Sequence, residues 1–162
     1  MTQTDELKPR DIILHPIHFL SLGLGSGLSP FAPGTAGTLL AVLLYIPLSM
    51  LSLWTYVTVL IVGSVVGIYL CEQTSNKLGG HDHPAIVWDE FLGYWLTMLL
   101  APSGWLWIVI GFILFRLFDI WKPWPISVAD LKVKGGFGIM LDDLIAGGYA
   151  LVVLQLIHYY IF

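Results

Sequence analysis

The feature that most constrains the fold is a long stretch without a charged side chain, from Thr38 to Leu70. A single membrane-spanning helix needs about 20 apolar residues, since each residue adds about 1.5 Å and the hydrocarbon core is about 30 Å thick. This stretch is too long for one span and predicts a helical hairpin. Pro47 and the Ser49 to Ser52 region mark its turn, between a short helix of about 12 residues and a longer one that ends near Cys71.

Two further apolar blocks follow in the chain. The segment from Ile86 to Phe118 is broken at Pro102-Ser103-Gly104, which predicts a second hairpin, and residues 144–162 are long enough to cross once. The chain is 57% hydrophobic, which exceeds the 45 to 50% or so that is typical of soluble domains. We therefore expect one all-α integral membrane domain over residues 1–162. It should have about five short transmembrane or re-entrant helices, a polar N-terminal tail at 1–11 and a partly amphipathic stretch at 12–22 that lies in the interface.

Charge and cysteine content narrow the class of protein further. The net charge is −4 and no basic tract indicates a nucleic-acid partner, while the single cysteine cannot form an internal disulfide. The polar start has no small-residue cleavage site, which argues against a removable signal peptide. If both hairpins return to the side they left, six basic residues share one face, which the positive-inside rule assigns to the cytoplasm. They are Lys8, Arg10, Lys77, Lys122, Lys132 and Lys134.

This topology also brings the scarce ionisable residues together at the cytoplasmic face. They form four clusters, which are His81-Asp82-His83 with Asp89-Glu90, Arg116 with Asp119 and Lys122, Lys132 with Lys134, and Asp142-Asp143. One acid at a helix start is explained by capping, but two adjacent acids that enter an apolar helix are not. We expect Asp89-Glu90 and Asp142-Asp143 each to open a helix. Ionised groups near lipid are costly unless they are paired, hydrated or bound to a cation, so these pairs indicate a cation site.

Two motifs could bind an anion. Arg116 and Asp119, three residues apart, share a helical face; the structural alternative is an ion pair that anchors the helix end, with Lys122 extending towards water. The glycine-rich segment 23–38 could bring backbone N–H groups close to a phosphate at a helix N-terminus. Its alternative is a tight turn capped by Thr35 or Thr38. It is not a Walker A motif, because the lysine after the last glycine is missing.

Together these residues indicate metal-assisted chemistry on a phosphorylated lipid. Oxygen ligands with little His or Cys favour Mg²⁺, which is commonly held by carboxylates and phosphate oxygens. A cysteine phosphatase is disfavoured, because the spacing from Cys71 ends in Lys77 and not in arginine. No Asp-x-Asp nucleophile motif is present.

Four ordered motifs closely resemble the phosphatidylglycerophosphatase A family of bacterial inner-membrane enzymes. They are GLGSGLSPFAPGTAGT (23–38), HDHPAIVWDEFLGYW (81–95), FRLFDIWKPWPI (115–126) and GGFGIMLDDLIAG (135–147). The resemblance implies Mg²⁺-dependent hydrolysis of the terminal phosphate of phosphatidylglycerophosphate, which yields phosphatidylglycerol and inorganic phosphate. This is a late step in the synthesis of phosphatidylglycerol and, downstream, of cardiolipin. The protein is accordingly expected in the bacterial inner membrane, with its polar site facing the cytoplasm.

The residues themselves suggest roles in this reaction. The expected Mg²⁺ ligands are Asp89, Glu90, Asp142 and Asp143, with Asp119 as a further ligand or as the group that orients Arg116. The expected phosphate-binding residues are Arg116, Lys122, Ser26, Gly27, Gly34 and Thr35. Water activated by the cation, or less favourably an aspartate, attacks phosphorus, and His81 or His83 protonates the departing glycerol oxygen.

Two other functions are compatible with the same residues. A transferase that moves a phosphoalcohol between lipids would use the same metal and would also need a nucleotide site. A non-enzymatic membrane scaffold would use the charges only to cap helices and to pair with lipid headgroups. The scaffold predicts no Mg²⁺ dependence and no loss on Asp89→Asn.

Overall fold

The structure is a computed structural model that describes residues 8–79 and 83–161. Within these ranges every regular element is helical and no strand occurs, so the expected all-α class is confirmed. Two short helices, α1 (Pro9–Ile12) and α2 (Pro16–Ser21), precede a 3-10 segment at Gly23–Leu28. The remaining helices are α3 (Pro33–Leu48), α4 (Leu53–Lys77), α5 (Trp88–Thr97), α6 (Trp105–Trp121), α7 (Ile126–Lys132) and α8 (Gly135–Ile161).

The predicted breaks at residues 49–52 and 102–104 are confirmed, but Pro47, which was predicted to mark the first turn, lies inside α3. Residues 49–52 separate α3 from α4, and the Ser52 side chain caps α4 by accepting a hydrogen bond from the Thr55 N–H at 3.3 Å. The break at 102–104 separates α5 from α6. The helix bounds differ from the prediction, because α3 already begins at Pro33, where proline suits the first helical position, and α4 continues to Lys77.

The prediction that Asp142 and Asp143 open the last helix is wrong. The helix α8 begins at Gly135, so both acids lie in its third turn. Its first turn is fixed from α4, where the Glu72 carboxylate accepts a hydrogen bond from the Gly136 N–H. A side chain at Gly136 would collide with the backbone of α4 at Ile68. Glycines that resemble a loop in the sequence therefore form the part of α8 that approaches α4.

By length and composition, two helices of the described chain could cross a membrane, namely α4 and α8, and α3 is a shorter apolar helix. Only 22% of the apolar window of α4 is buried inside the protein, against 50% for α8. The helix α8 is thus the central one, and it packs against α4, α5, α6 and α7. The outward side of α4 exposes Ile61, Val62 and Val65, which form an apolar surface.

The helices α5 and α8 approach each other through two glycines. A Cβ atom at Gly147 would collide with the Gly93 carbonyl, so the two backbones are in direct contact. The Thr97 hydroxyl donates to the carbonyl oxygens of Gly93 at 2.9 Å and of Gly147 at 3.4 Å. Small residues allow this close packing between apolar helices. The contact places the first turn of α5 beside the third turn of α8.

The paired glycines of α8 give a matched test of this packing. Gly147→Ala should destabilise the protein by about 1–3 kcal/mol, because the added methyl group meets the α5 backbone. Gly148→Ala adds the same methyl group into open space and should stabilise the helix by about 0.5–1 kcal/mol. Thermal unfolding in detergent measures both changes. Equal shifts for the two variants would contradict the close contact.

Candidate metal and phosphate site

Three buried carboxylates form the centre of the site. Asp89 and Glu90 lie in the first turn of α5, and Asp143 comes from α8. One oxygen from each residue lies within 4.8 Å of the other two. All three side chains are buried, with relative exposures between 3% and 8%. The sequence prediction that these acids meet is therefore fulfilled by the geometry, although capping explains none of the three.

The electrostatics of this cluster favour a bound cation. Glu90 Oε2 and Asp143 Oδ2 are buried, and within the described residues neither atom receives a hydrogen bond. Buried carboxylates without donors are costly, and three negative charges at this separation repel one another strongly. A divalent cation would remove both penalties. Carboxylate oxygens are hard ligands, so the donor set fits Mg²⁺.

Arg116 of α6 borders the carboxylate cluster. Its guanidinium donates to the Asp119 carboxylate, which confirms that the two residues share a helical face, and its Nη1 atom lies 4.0 Å from Glu90 Oε1. Asp119 is close enough to Glu90 and Asp143 for its charge to act on both. Arg116 Nε is buried, and among the described residues no acceptor forms a hydrogen bond with it. One guanidinium edge is thus available to bind an anion next to the cluster.

The N-terminus of α3 closes the same site. A Cβ atom at Gly34 would collide with Glu90 Oε1 and would lie 3.3 to 3.4 Å from the Arg116 guanidinium nitrogens. The early N–H groups of a helix are free to bind anions. The alternative of a threonine cap is wrong, because α3 has Ala32 at its N-cap without a side-chain hydrogen bond. The Thr38 hydroxyl donates to the Gly34 carbonyl at 2.9 Å instead.

The other residues predicted in the glycine-rich segment have different surroundings. Ser26 Oγ donates to the Gly23 carbonyl at 2.7 Å, and Gly27 lies directly against the carbonyl of Ala85. The first contact lies within the segment, and the second joins the segment to the residues that lead into α5. Thr35 follows Gly34 in the first turn of α3 and is half-buried.

Lys122 and Asp142 form a second polar group next to the carboxylate cluster. Lys122 Nζ donates to Asp142 Oδ2 and to Asp130 Oδ1, both at 2.7 Å. Burial alone would lower the pKa of Lys122, but the hydrogen bonds and charges of Asp130 and Asp142 raise it above its usual range. Asp142 therefore faces this lysine, while Asp143 faces the cluster. Asp130, in α7, was not predicted from the sequence, because a single acid in a short polar segment carries no spacing signal.

Of the two predicted histidines, only His83 can be placed, since His81 lies outside the described residues. His83 Nδ1 accepts a hydrogen bond from the Ala85 N–H at 3.2 Å. The side chain lines a cavity of about 440 Å³ together with Lys8 and Arg10.

Comparison with known proteins identifies the family. The family model of phosphatidylglycerophosphatase A matches residues 19–158. The chain is 45% identical over 165 residues to phosphatidylglycerophosphatase A of Haemophilus influenzae, which covers 99% of each chain. It is 46% identical over 144 residues to phosphatidylglycerophosphatase A of Escherichia coli, covering 88% of this chain and 84% of the relative.

A relative with a different name is also similar to this chain over most of its length. It is provisionally named a phosphatidylinositol-3-phosphatase, from Bacteroides thetaiotaomicron, and is 39% identical over 150 residues, which cover 88% of this chain and 93% of the relative. No solved structure matches the chain. The family match and the two relatives of the same name show that the chain is a phosphatase and that it belongs to the phosphatidylglycerophosphatase A family.

Proposed function

We propose that this chain hydrolyses the terminal phosphate of phosphatidylglycerophosphate in a Mg²⁺-dependent reaction, giving phosphatidylglycerol and inorganic phosphate. The observation that supports this proposal most strongly is the position of Glu90. Its carboxylate belongs to the three-acid cluster, lies 4.0 Å from Arg116 and contacts the start of α3 at Gly34. The proposed cation site and the proposed anion site therefore share one side chain, an arrangement that suits metal-assisted hydrolysis of a phosphate monoester.

In this reaction the cluster of Asp89, Glu90 and Asp143 would hold Mg²⁺. When bound, the cation stabilises negative charge on the phosphoryl group as a Lewis acid. Asp119 stands beside the cluster and orients Arg116 through their hydrogen bond. This pair leaves Asp119 better suited to positioning the guanidinium than to attacking phosphorus, so we expect a water molecule to be the nucleophile.

Arg116 and the first N–H groups of α3 would bind the phosphoryl oxygens. The guanidinium fork matches the geometry of a phosphate, and its charge offsets the negative charge that develops during transfer. His83 is the proposed proton donor to the glycerol oxygen. Because its Nδ1 accepts from the Ala85 N–H, the neutral ring carries its proton on Nε2, which can donate.

The fold supports a site at the membrane surface. We propose that α4 and α8 cross the bacterial inner membrane and that α3, α5 and α6 are the shorter apolar helices of a five-helix bundle. The site is built from the starts of α3 and α5 and the end of α6, so it lies near one end of the bundle. A lipid headgroup could reach this end while its tails stay in the bilayer. From the basic residues we infer that this end faces the cytoplasm, where the product would enter phosphatidylglycerol and cardiolipin synthesis.

The metal assignment is tested by substitutions that remove charge without changing size. Asp89→Asn and Asp143→Asn should lower phosphate release from phosphatidylglycerophosphate in detergent by about 100-fold or more, because each removes a cation ligand. The control is Asp11, an exposed acid of α1. The Asp11→Asn variant should leave the Mg²⁺ concentration for half-maximal rate unchanged. Full activity of both cluster variants, or release that does not depend on Mg²⁺, would contradict the metal assignment, whereas a native protein that releases no phosphate would favour the scaffold. Turnover that needs a cytidine nucleotide would favour the transferase.

Two substitutions of one residue separate charge from geometry at the anion site. Arg116→Lys keeps the positive charge but loses the planar fork, and should lower kcat/KM about 10-fold. Arg116→Ala loses both and should lower it by about 100-fold or more, with weaker inhibition by inorganic phosphate. Steady-state kinetics of folded, detergent-purified variants measure these effects. If the alanine variant keeps the native kcat/KM, Arg116 does not bind the phosphate.

The role of Lys122 can be resolved by a double-mutant cycle with Asp142. Its contacts predict a structural ion pair, so Lys122→Met and Asp142→Asn should show a coupling free energy of unfolding of about 1–3 kcal/mol. Because folding raises the pKa of Lys122, this stabilisation is complete below the ordinary lysine pKa of about 10.4 and is lost only as the pH rises beyond it. Denaturant unfolding in mixed micelles at pH 7 measures the coupling. A raised KM with no coupling would instead indicate that Lys122 binds phosphate.

A further inference from the structure

The proposed substrate carries two phosphates, and the site described above accounts for only one of them. The terminal phosphate is a monoester, whereas the inner phosphate is a diester that joins the headgroup glycerol to diacylglycerol. We propose that the cavity lined by Lys8, Arg10 and His83 binds this inner phosphodiester, an inference that rests on the proposed function. The cavity is thus a second anion subsite for the same lipid.

The lining of this cavity suits an anionic lipid headgroup. It has a volume of about 440 Å³, and its lining residues include two basic ones, Lys8 and Arg10, together with His83. Its described lining includes no carboxylate, in contrast to the acidic cluster. Apolar walls come from Leu28 and from several prolines. A diester phosphate has no ionisable hydroxyl group at neutral pH and needs only donors and positive charge, which this lining provides.

The basic side chains are available for such a ligand. The Lys8 backbone N–H donates to the Asp11 carboxylate at 3.0 Å, and the Lys8 carbonyl accepts from the Asp11 N–H at 2.8 Å, so neither hydrogen bond uses the ammonium group. Among the described residues neither Lys8 nor Arg10 takes part in an ion pair.

The cavity adjoins the site of hydrolysis through two segments. Pro33 lines the cavity, and the next residue, Gly34, contacts Glu90 and Arg116. Ala85 lines it from the other side, in the segment that leads into α5 and its acids. This segment is fixed by the contact between Gly27 and the Ala85 carbonyl. A headgroup with its terminal phosphate at Arg116 therefore has the basic cavity next to it.

The test compares ligands that carry one kind of phosphate each. Phosphatidylglycerol keeps the diester and lacks the monoester, whereas inorganic phosphate competes only for the monoester site. For Lys8→Gln and Arg10→Gln, we expect KM for phosphatidylglycerophosphate to rise about 10-fold, since each change removes a charge-assisted contact. Inhibition by phosphatidylglycerol should weaken by a similar factor. Neither kcat nor inhibition by inorganic phosphate should change.

Matched controls exclude a general loss of attraction to anionic micelles. Lys132→Gln and Lys134→Gln remove the same charge from exposed lysines that do not line the cavity, and should keep the native KM. Three outcomes would each overturn the subsite. The controls could raise KM as much as the cavity variants do, the cavity variants could keep the native KM, or phosphatidylglycerol could fail to inhibit the wild-type protein. If the wild-type protein releases no phosphate from phosphatidylglycerophosphate, the proposed function fails as well. If the wild-type protein releases phosphate and the cavity variants have the same KM as the wild type, only the subsite fails.

Discussion

Mutual repulsion among three buried carboxylates is the constraint on which the arrangement of this protein depends. Asp89, Glu90 and Asp143 lie within one small volume and are almost fully buried. Such a cluster can stay fully ionised only if positive charge lies beside it, from the protein or from a cation. The protein supplies the positive charge of Arg116 at the edge of the cluster, but Asp119 also pairs with this guanidinium. The remaining negative charge supports our proposal that the site binds a divalent ion and, through the ion, a phosphate.

The packing of the apolar helices brings these acids together. The contact between Gly93 and Gly147 sets the distance between α5 and α8, and the contact of Gly34 with Glu90 sets the position of α3. Lys122 holds the neighbouring acid, Asp142, away from the cluster. Glycine backbone contacts and ion pairs therefore have complementary roles, because the first determine how closely the helices approach and the second determine which acid faces which partner.

Much of the fold was predictable because its signals are local. The apolar runs are interrupted by Ser49 and Ser52 at the first turn and by Pro102-Ser103-Gly104 at the second, and the spacing of Arg116 and Asp119 fixes a shared helical face. The different roles of Asp142 and Asp143 were not predictable, since adjacent helical residues point about 100° apart and only packing decides which one meets α5. The start of α8 was missed because its glycines resemble a loop. The partnership of Asp130 with Lys122 depends on how α7 packs, which no local pattern reveals.

The order of the helices along the chain has a consequence for biosynthesis. During translation α3, α5 and α6 emerge before α8, which supplies Asp143 and packs against α4, α5, α6 and α7. Until α8 inserts, Asp89 and Glu90 lack the third acid of their cluster, and Gly93 of α5 lacks its contact with Gly147. The carboxylate cluster is thus complete only once α8 has packed against α5, so a chain in which α8 has not yet inserted lacks the cation site that we propose.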